Sequence, residues 1–160
     1  MYNPEAVELF RRLLMQEIDC AQRLMALLDE ERQALGGRDA QALEQVTEAK
    51  RALLAETEQR VAAHEGFLSA RRLPAGRAGT ERFLSGLPKD AAERSLWQRL
   101  QELAAACREA NEVNGRVVAL SRIRVQRTLE LLHGQPDAGK TYGKAGQSQS
   151  SARRTYIGSV

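Results

Sequence analysis

The sequence predicts an all-α protein: three long antiparallel helices in an elongated coiled-coil-like bundle, a short helical excursion before the third, and a disordered C-terminal tail. Three observations predict it. Ala, Leu, Glu, Gln and Arg, the strong helix formers, dominate the 160 residues. Apolar residues recur at three- and four-residue spacing over three long stretches. Runs of Val, Ile and Thr that could build strands are few.

The first helix is expected over about residues 4–35. Asn3 can cap it, and Pro4 sits where a missing N–H costs nothing. Val7, Phe10, Leu14, Ile18, Ala21, Leu24 and Leu28 form one stripe, and Gly36-Gly37 signals the stop. The second is expected over about 40–72, capped by Asp39. Its stripe of Leu43, Val46, Leu53, Leu54, Val61, Phe67 and Leu68 is thinner, and Lys50, Thr57 and His64 interrupt it. So short a connection makes the two helices antiparallel neighbours.

Residues 73–80 read as a loop, and 81–87 as one or two helical turns holding Phe83, Leu84 and Leu87 before Pro88. The third long helix is expected over about 90–133, capped by Asp90 with Glu93 in its first turn, and stopped by Gly134 and Pro136. Trp97 is expected to anchor the core beneath the excursion. Asn111 and Asn114 sit on or near the apolar stripe beside Gly115, where polar groups can set register and a glycine permits close approach or a bend. This helix exceeds its partners by about ten residues, or about 15 Å. Its C-terminal end, with Ile123, Val125, Leu129, Leu131 and Leu132, is expected to lack full cover. Residues 1–134 thus form one bundle domain, and 135–160, rich in Gly, Ser and Gln, a flexible tail.

Charge narrows the function. The formal net charge is +3, but Lys140, Lys144, Arg153, Arg154 and Asp137 all lie in 135–160, leaving twenty groups of each sign before them. A neutral bundle does not fit duplex binding. Arg116, Arg122, Arg124 and Arg127 form a basic run, read as dipole-matched cations or as a surface for an acidic partner. No apolar stretch reaches about 18 residues, so membrane insertion is not expected. No secretory leader is expected either. Cys20 and Cys107 are expected as buried, reduced thiols.

Residues 134–141 satisfy the phosphate-loop pattern G-x-x-x-x-G-K-[ST]. The chemistry needs a strand before and a helix after, and neither is predicted, so no nucleotide is expected. Glu130-x-x-His133 is half of a di-iron bundle pair. His64 has Val61 three residues before it, so the second half fails and no metal is expected. No nucleophile-and-base motif appears, so no enzyme and no cofactor are expected.

Three segments together resemble the FlgN family of flagellar type III export chaperones. They are Leu27-Leu28-Asp29-Glu30-Glu31-Arg32-Gln33-Ala34-Leu35 with Asp39 and Lys50-Arg51-Ala52-Leu53-Leu54; Trp97, Cys107 and Asn111-Glu112-Val113-Asn114-Gly115-Arg116; and Thr141-Tyr142-Gly143 with Gly146. The resemblance spans nearly the whole chain. It implies a cytoplasmic chaperone that holds the hook–filament junction proteins, FlgK and FlgL, by their aggregation-prone ends and passes them to the export gate. The client surface is expected at Ile123, Leu129, Leu131 and Leu132 with Tyr142, Tyr156 and Ile157 of the tail, in a monomer or weak dimer. The alternatives are a structural coiled-coil homo-oligomer or an adaptor without a client-export role.

Overall fold

Asn3 opens the first helix. Its Oδ1 accepts the Glu5 amide at 3.0 Å, and Pro4 takes the first helical position of α1 (Pro4–Gly37). These contacts belong to a computed structural model that describes residues 3–133. Helix α1 runs through both glycines. The left-handed residue that stops it is Arg38 (φ 52°), whose N–H reaches Ala34 O and Leu35 O. Asp39 follows at once as the cap of α2 (Ala40–Ser69), accepting the Ala42 amide at 3.0 Å.

Further boundaries differ from expectation. Helix α2 ends at Ser69, because Arg72 turns left-handed (φ 56°) and the Leu73 amide bonds back to Leu68 O. The excursion is a ten-residue helix, α3 (Gly76–Ser85), and not a loop through residue 80 followed by a turn or two. Gly76 and Gly79 read as loop residues in sequence, yet both serve packing. Gly76 takes φ +66° and gives its amide to Glu65 at 2.8 Å. A Cβ on Gly79 would lie 1.8 Å from Pro74 O, so only glycine lets α3 pass that carbonyl. Burial of Thr80, Phe83 and Leu84 overrides the weak local propensity.

Helix α4 (Ala92–His133) starts two residues beyond Asp90, which lies in the preceding turn and does not cap it. The described residues therefore hold three long helices plus α3, a fourth. The chain divides into two units, Met1–Leu120 and Ser121–Val160. Of the second, residues 121–133 are described. The expected tail over 135–160, the phosphate-loop pattern at 134–141, Tyr142, Tyr156 and Ile157 lie outside the described residues.

Cross-helix contacts in the first unit fix the directions. Phe10 meets Phe67, Glu17 meets His64, Arg23 meets Glu56, and Glu31 meets Lys50, so α1 and α2 are antiparallel. Arg11 meets Glu93, Ala21 O meets Cys107, and Leu28 O meets Asn114, so α4 runs parallel to α1. The core gathers Phe10, Leu13, Leu14 and Ile18 with Phe67, Leu68, Phe83, Leu84, Leu87 and Leu100. Phe10 sits at its centre, with ring centroids 4.5 Å from Phe83 and 5.4 Å from Phe67.

Candidate functional site

The three long helices leave a groove beside that core. Its floor is α1 (Cys20, Ala21, Leu24, Leu28), one wall is α2 (Leu54, Thr57, Val61) and the other is α4 (Trp97, Ala104, Cys107, Arg108), enclosing about 530 Å³. The sequence explains the unfilled space. The thin α2 stripe offers one side chain per turn there. On the α4 wall Ala104 stands opposite, too short to reach across. Leu54 (46% exposed) and Val61 (45%) therefore stand half in solvent.

Polar networks bound the groove at both ends. At one, His64 Nδ1 lies 2.7 Å from Glu17 Oε1 and Nε2 lies 3.2 Å from Thr80 Oγ1, tying α1, α2 and α3 together. At the other, Lys50 Nζ donates to both Glu31 oxygens at 3.0 Å and to Asn111 Oδ1 at 3.4 Å. Asn114 Nδ2 donates to Leu28 O and to Glu31 Oε2, both at 2.8 Å. Lys50 and His64 of these networks interrupt the α2 stripe, with Thr57 midway between them at seven-residue intervals and bonded to Leu53 O. That regular interruption was the sequence signal of a wall with polar ends.

The Glu17–His64–Thr80 chain has the connectivity of an acid–base–nucleophile triad. Thr80 is 1% exposed, and its hydroxyl also reaches Gly76 O at 3.2 Å, so no substrate meets it. It is a buried tie between helices. Another tie joins α1 to the start of α4: the Glu93 carboxylate, 2% exposed, takes Arg11 Nε at 2.8 Å and Nη2 at 2.7 Å. That contact raises the already high Arg11 pKa, chiefly through the hydrogen bond. On the opposite flank, hydrogen bonds from Arg23 and then Arg60 hold the Glu56 carboxyl below the usual carboxylate range. Burial pushes the Cys107 thiol up, and its Sγ donates to Ala21 O at 3.3 Å. Cys20 and Cys107 are both buried and free.

The other residues singled out in sequence separate. Asn114 is buried and bonded between α1 and α4, with its Oδ1 lacking a partner among the described residues. Asn111 is exposed and touches Lys50. A Cβ on Gly115 would meet nothing within 4 Å, so no close approach accounts for this glycine. Trp97 packs against the core from its edge, T-shaped to His64 at 6.5 Å, and lines the groove.

In the second unit, Ile123, Val125, Leu129, Leu131 (84%) and Leu132 (76%) are all exposed. At about 100° per residue they do not share one face. Val125, Leu129 and Leu132 form one stripe. Ile123 and Leu131 lie nearly opposite, interleaved with Arg124 and Arg127. Among the described residues Arg122, Arg124 and Arg127 have no ion pair, whereas Arg116 meets Glu112 at 3.8 Å. Also among the described residues, no three His, Cys, Asp or Glu side chains group as a metal site, and no helix is long and apolar enough to cross a membrane.

Comparison with known proteins gives two matches of one kind. Residues 1–150 match the family model described as FlgN protein. Comparison with curated proteins gives no match. Among solved structures, the chain is similar to the crystal structure of a putative flagella synthesis protein FlgN from Pseudomonas aeruginosa. The two share 30% identity and a TM-score of 0.60, over 74% of this chain and 89% of that one.

Proposed function

The chain belongs to the FlgN family, and from that premise we propose that it is a cytoplasmic flagellar export chaperone. Its clients are the hook–filament junction proteins of the FlgK and FlgL type, held by their C-terminal helical segments and delivered to the flagellar type III export gate. The observation that carries the client site is the exposed apolar surface of α4 over 121–132. Large exposed apolar side chains grouped along one stretch of helix mark a protein-binding surface. Ile123, Leu129, Leu131 and Leu132 are the anchors on α4, with Tyr142, Tyr156 and Ile157 beyond it.

The mechanism is physical. A disordered amphipathic client segment buries its apolar side against α4 and orders as it binds. Its ordering entropy opposes the burial, so the complex stays reversible and the client can be released. The two stripes let the α4 segment be covered from both sides, so the client embraces it. The free arginines between Ile123 and Leu131 favour acidic residues beside the client's apolar ones. No bond is made or broken by the chaperone. In this reading the free protein is a monomer or weak dimer.

Titration calorimetry with synthetic C-terminal peptides of both junction proteins tests this, run beside light scattering. The expected result is one-to-one, sub-micromolar binding with a negative heat-capacity change. Leu131→Asp with Leu132→Asp should weaken it by at least about tenfold, or about 1.4 kcal/mol. No binding by a protein that scatters as a stable dimer or larger would favour the structural coiled-coil reading instead.

A further inference from the structure

Helix α3 is held to the bundle by different means from the three long helices. Those three join one another without it. Arg11 meets Glu93, Ala21 O meets Cys107 and Leu28 O meets Asn114 between α1 and α4. Glu17 meets His64, Arg23 meets Glu56 and Glu31 meets Lys50 between α1 and α2. None of these contacts passes through α3. Most of the core lies on the long helices too, and Phe83 and Leu84 are the share of α3.

Alone, α3 has little to keep it helical. It is ten residues long, its N-cap residue Ala75 makes no side-chain cap, and Gly76, Gly79 and Thr80 fill its first half. A free helix so short and so rich in glycine is unstable in water. Its hold is therefore tertiary. The Phe83 ring lies 4.5 Å from that of Phe10 and 5.0 Å from that of Phe67, between centroids. Polar ties fasten both ends. The Gly76 amide donates to Glu65 Oε1 at 2.8 Å, and Thr80 Oγ1 lies 3.2 Å from His64 Nε2. At the exit, Arg94 of α4 donates to Leu84 O at 2.6 Å and to Leu87 O and Pro88 O at 3.0 Å. The chain enters α3 through left-handed Arg72 (φ 56°) and Gly76 (φ +66°). At a residue other than glycine that conformation is strained, and release relieves it.

We infer that α3 is a strap. It opens and unfolds as one unit, hinged at 70–75 and 86–91, while α1, α2 and α4 stay joined. Undocking and unfolding are one event, because the helix has no stability of its own. Opening bares Phe10 and Phe67 together. With Phe83 these are the chain's three phenylalanines, all buried while the strap is closed. The strap is independent of the client reading, since no residue over 121–132 takes part.

Native-state amide exchange of the full chain, followed through a series of low urea concentrations, tests this. Amides over 80–85 should exchange together, at least about tenfold faster than those over 10–18 of α1. They should share one shallow urea dependence, because the strap exposes less surface than the whole bundle does. Thr80→Val and Arg94→Met each cut a tie. Each should speed exchange over 80–85 by a further factor of about ten and leave 10–18 unchanged. Should a variant fail to fold, the two segments of the unaltered chain still decide. Equal protection and equal urea dependence in both segments overturns the inference, since α3 then opens only with the whole bundle. Exchange over 80–85 that differs from residue to residue, or that ignores urea, overturns it as well, because that is fraying and not a unit. So do variants that speed both segments alike.

Discussion

The end of the bundle around Phe10 and the stretch around Leu24 are built from the same three helices, yet one is closed and the other open. Around Phe10, α3 fills the fourth side and aromatic rings meet at 4.5–5.4 Å. Around Leu24 the α2 wall carries Leu54 and Val61 and the α4 wall Ala104, and the fourth side is a groove. The closed end buries its apolar residues, whereas the open stretch leaves Leu54 and Val61 half in solvent. Two glycines show the contrast at single-residue scale. Gly79 is held against a carbonyl that tolerates no Cβ, whereas Gly115 faces open space.

The contrast is sharpest if substitutions at the two ends differ in cost. Phe10→Ala should destabilise by about 3–5 kcal/mol in urea unfolding, because the aromatic cluster cannot collapse onto the cavity. Leu54→Ala in the groove should cost less than about 1 kcal/mol, since its side chain is already half in water. Equal costs would dissolve the distinction. Gly79→Ala should cost about 1–3 kcal/mol by pushing α3 off Pro74, and faster amide exchange across 76–85 would show it. Asn114→Ala should cost about 1–3 kcal/mol, since it removes two hydrogen bonds that join α1 to α4. Gly115→Ala should instead stabilise, by about 0.5–1 kcal/mol, because an exposed helix interior prefers alanine. A loss there would mean the glycine serves a contact inside this chain after all.

The smallest effect expected is one of pH. Burial raises the Cys107 thiol above its ordinary value, so at low and neutral pH the folded and unfolded thiols are both protonated and the group is neutral to stability. Above about pH 8.5 the unfolded thiol ionises first, and stability falls as pH rises toward the folded value. Cys107→Ala should flatten that alkaline decline. The carboxyl of Glu56 acts in the opposite direction. Its lowered pKa contributes stability above the ordinary carboxylate range, lost as pH falls through the folded value, and Arg23→Gln should reduce that acid sensitivity.

The long helices were legible because their stripes, caps and stops are local. Asn3, Pro4 and Asp39 act within four residues of themselves, so sequence alone places them. Helix α3 was misread because its two glycines answer to Pro74 and Glu65, contacts that local propensity does not contain. Asp90 reads as a cap, but α4 starts at Ala92, a slip of the kind expected at a helix start. The groove was visible only as an irregularity, a stripe broken at Lys50, Thr57 and His64. Its meaning depends on α4 standing opposite with Ala104. The exposure of Ile123, Leu129, Leu131 and Leu132 was anticipated from helix length. Their split over two faces follows from the helical period, so they do not form one surface.

The central claim is that the described end of α4 is where a client binds. Amide hydrogen exchange of the full chain, with and without a C-terminal peptide of a junction protein at saturating concentration, tests it most directly. Fast exchange over 121–132 in the free protein, slowed when the peptide binds while the Phe10 end stays unchanged, is the predicted result. A bound peptide that leaves 121–132 exchanging as before would contradict it, as would full protection of that segment in the free protein.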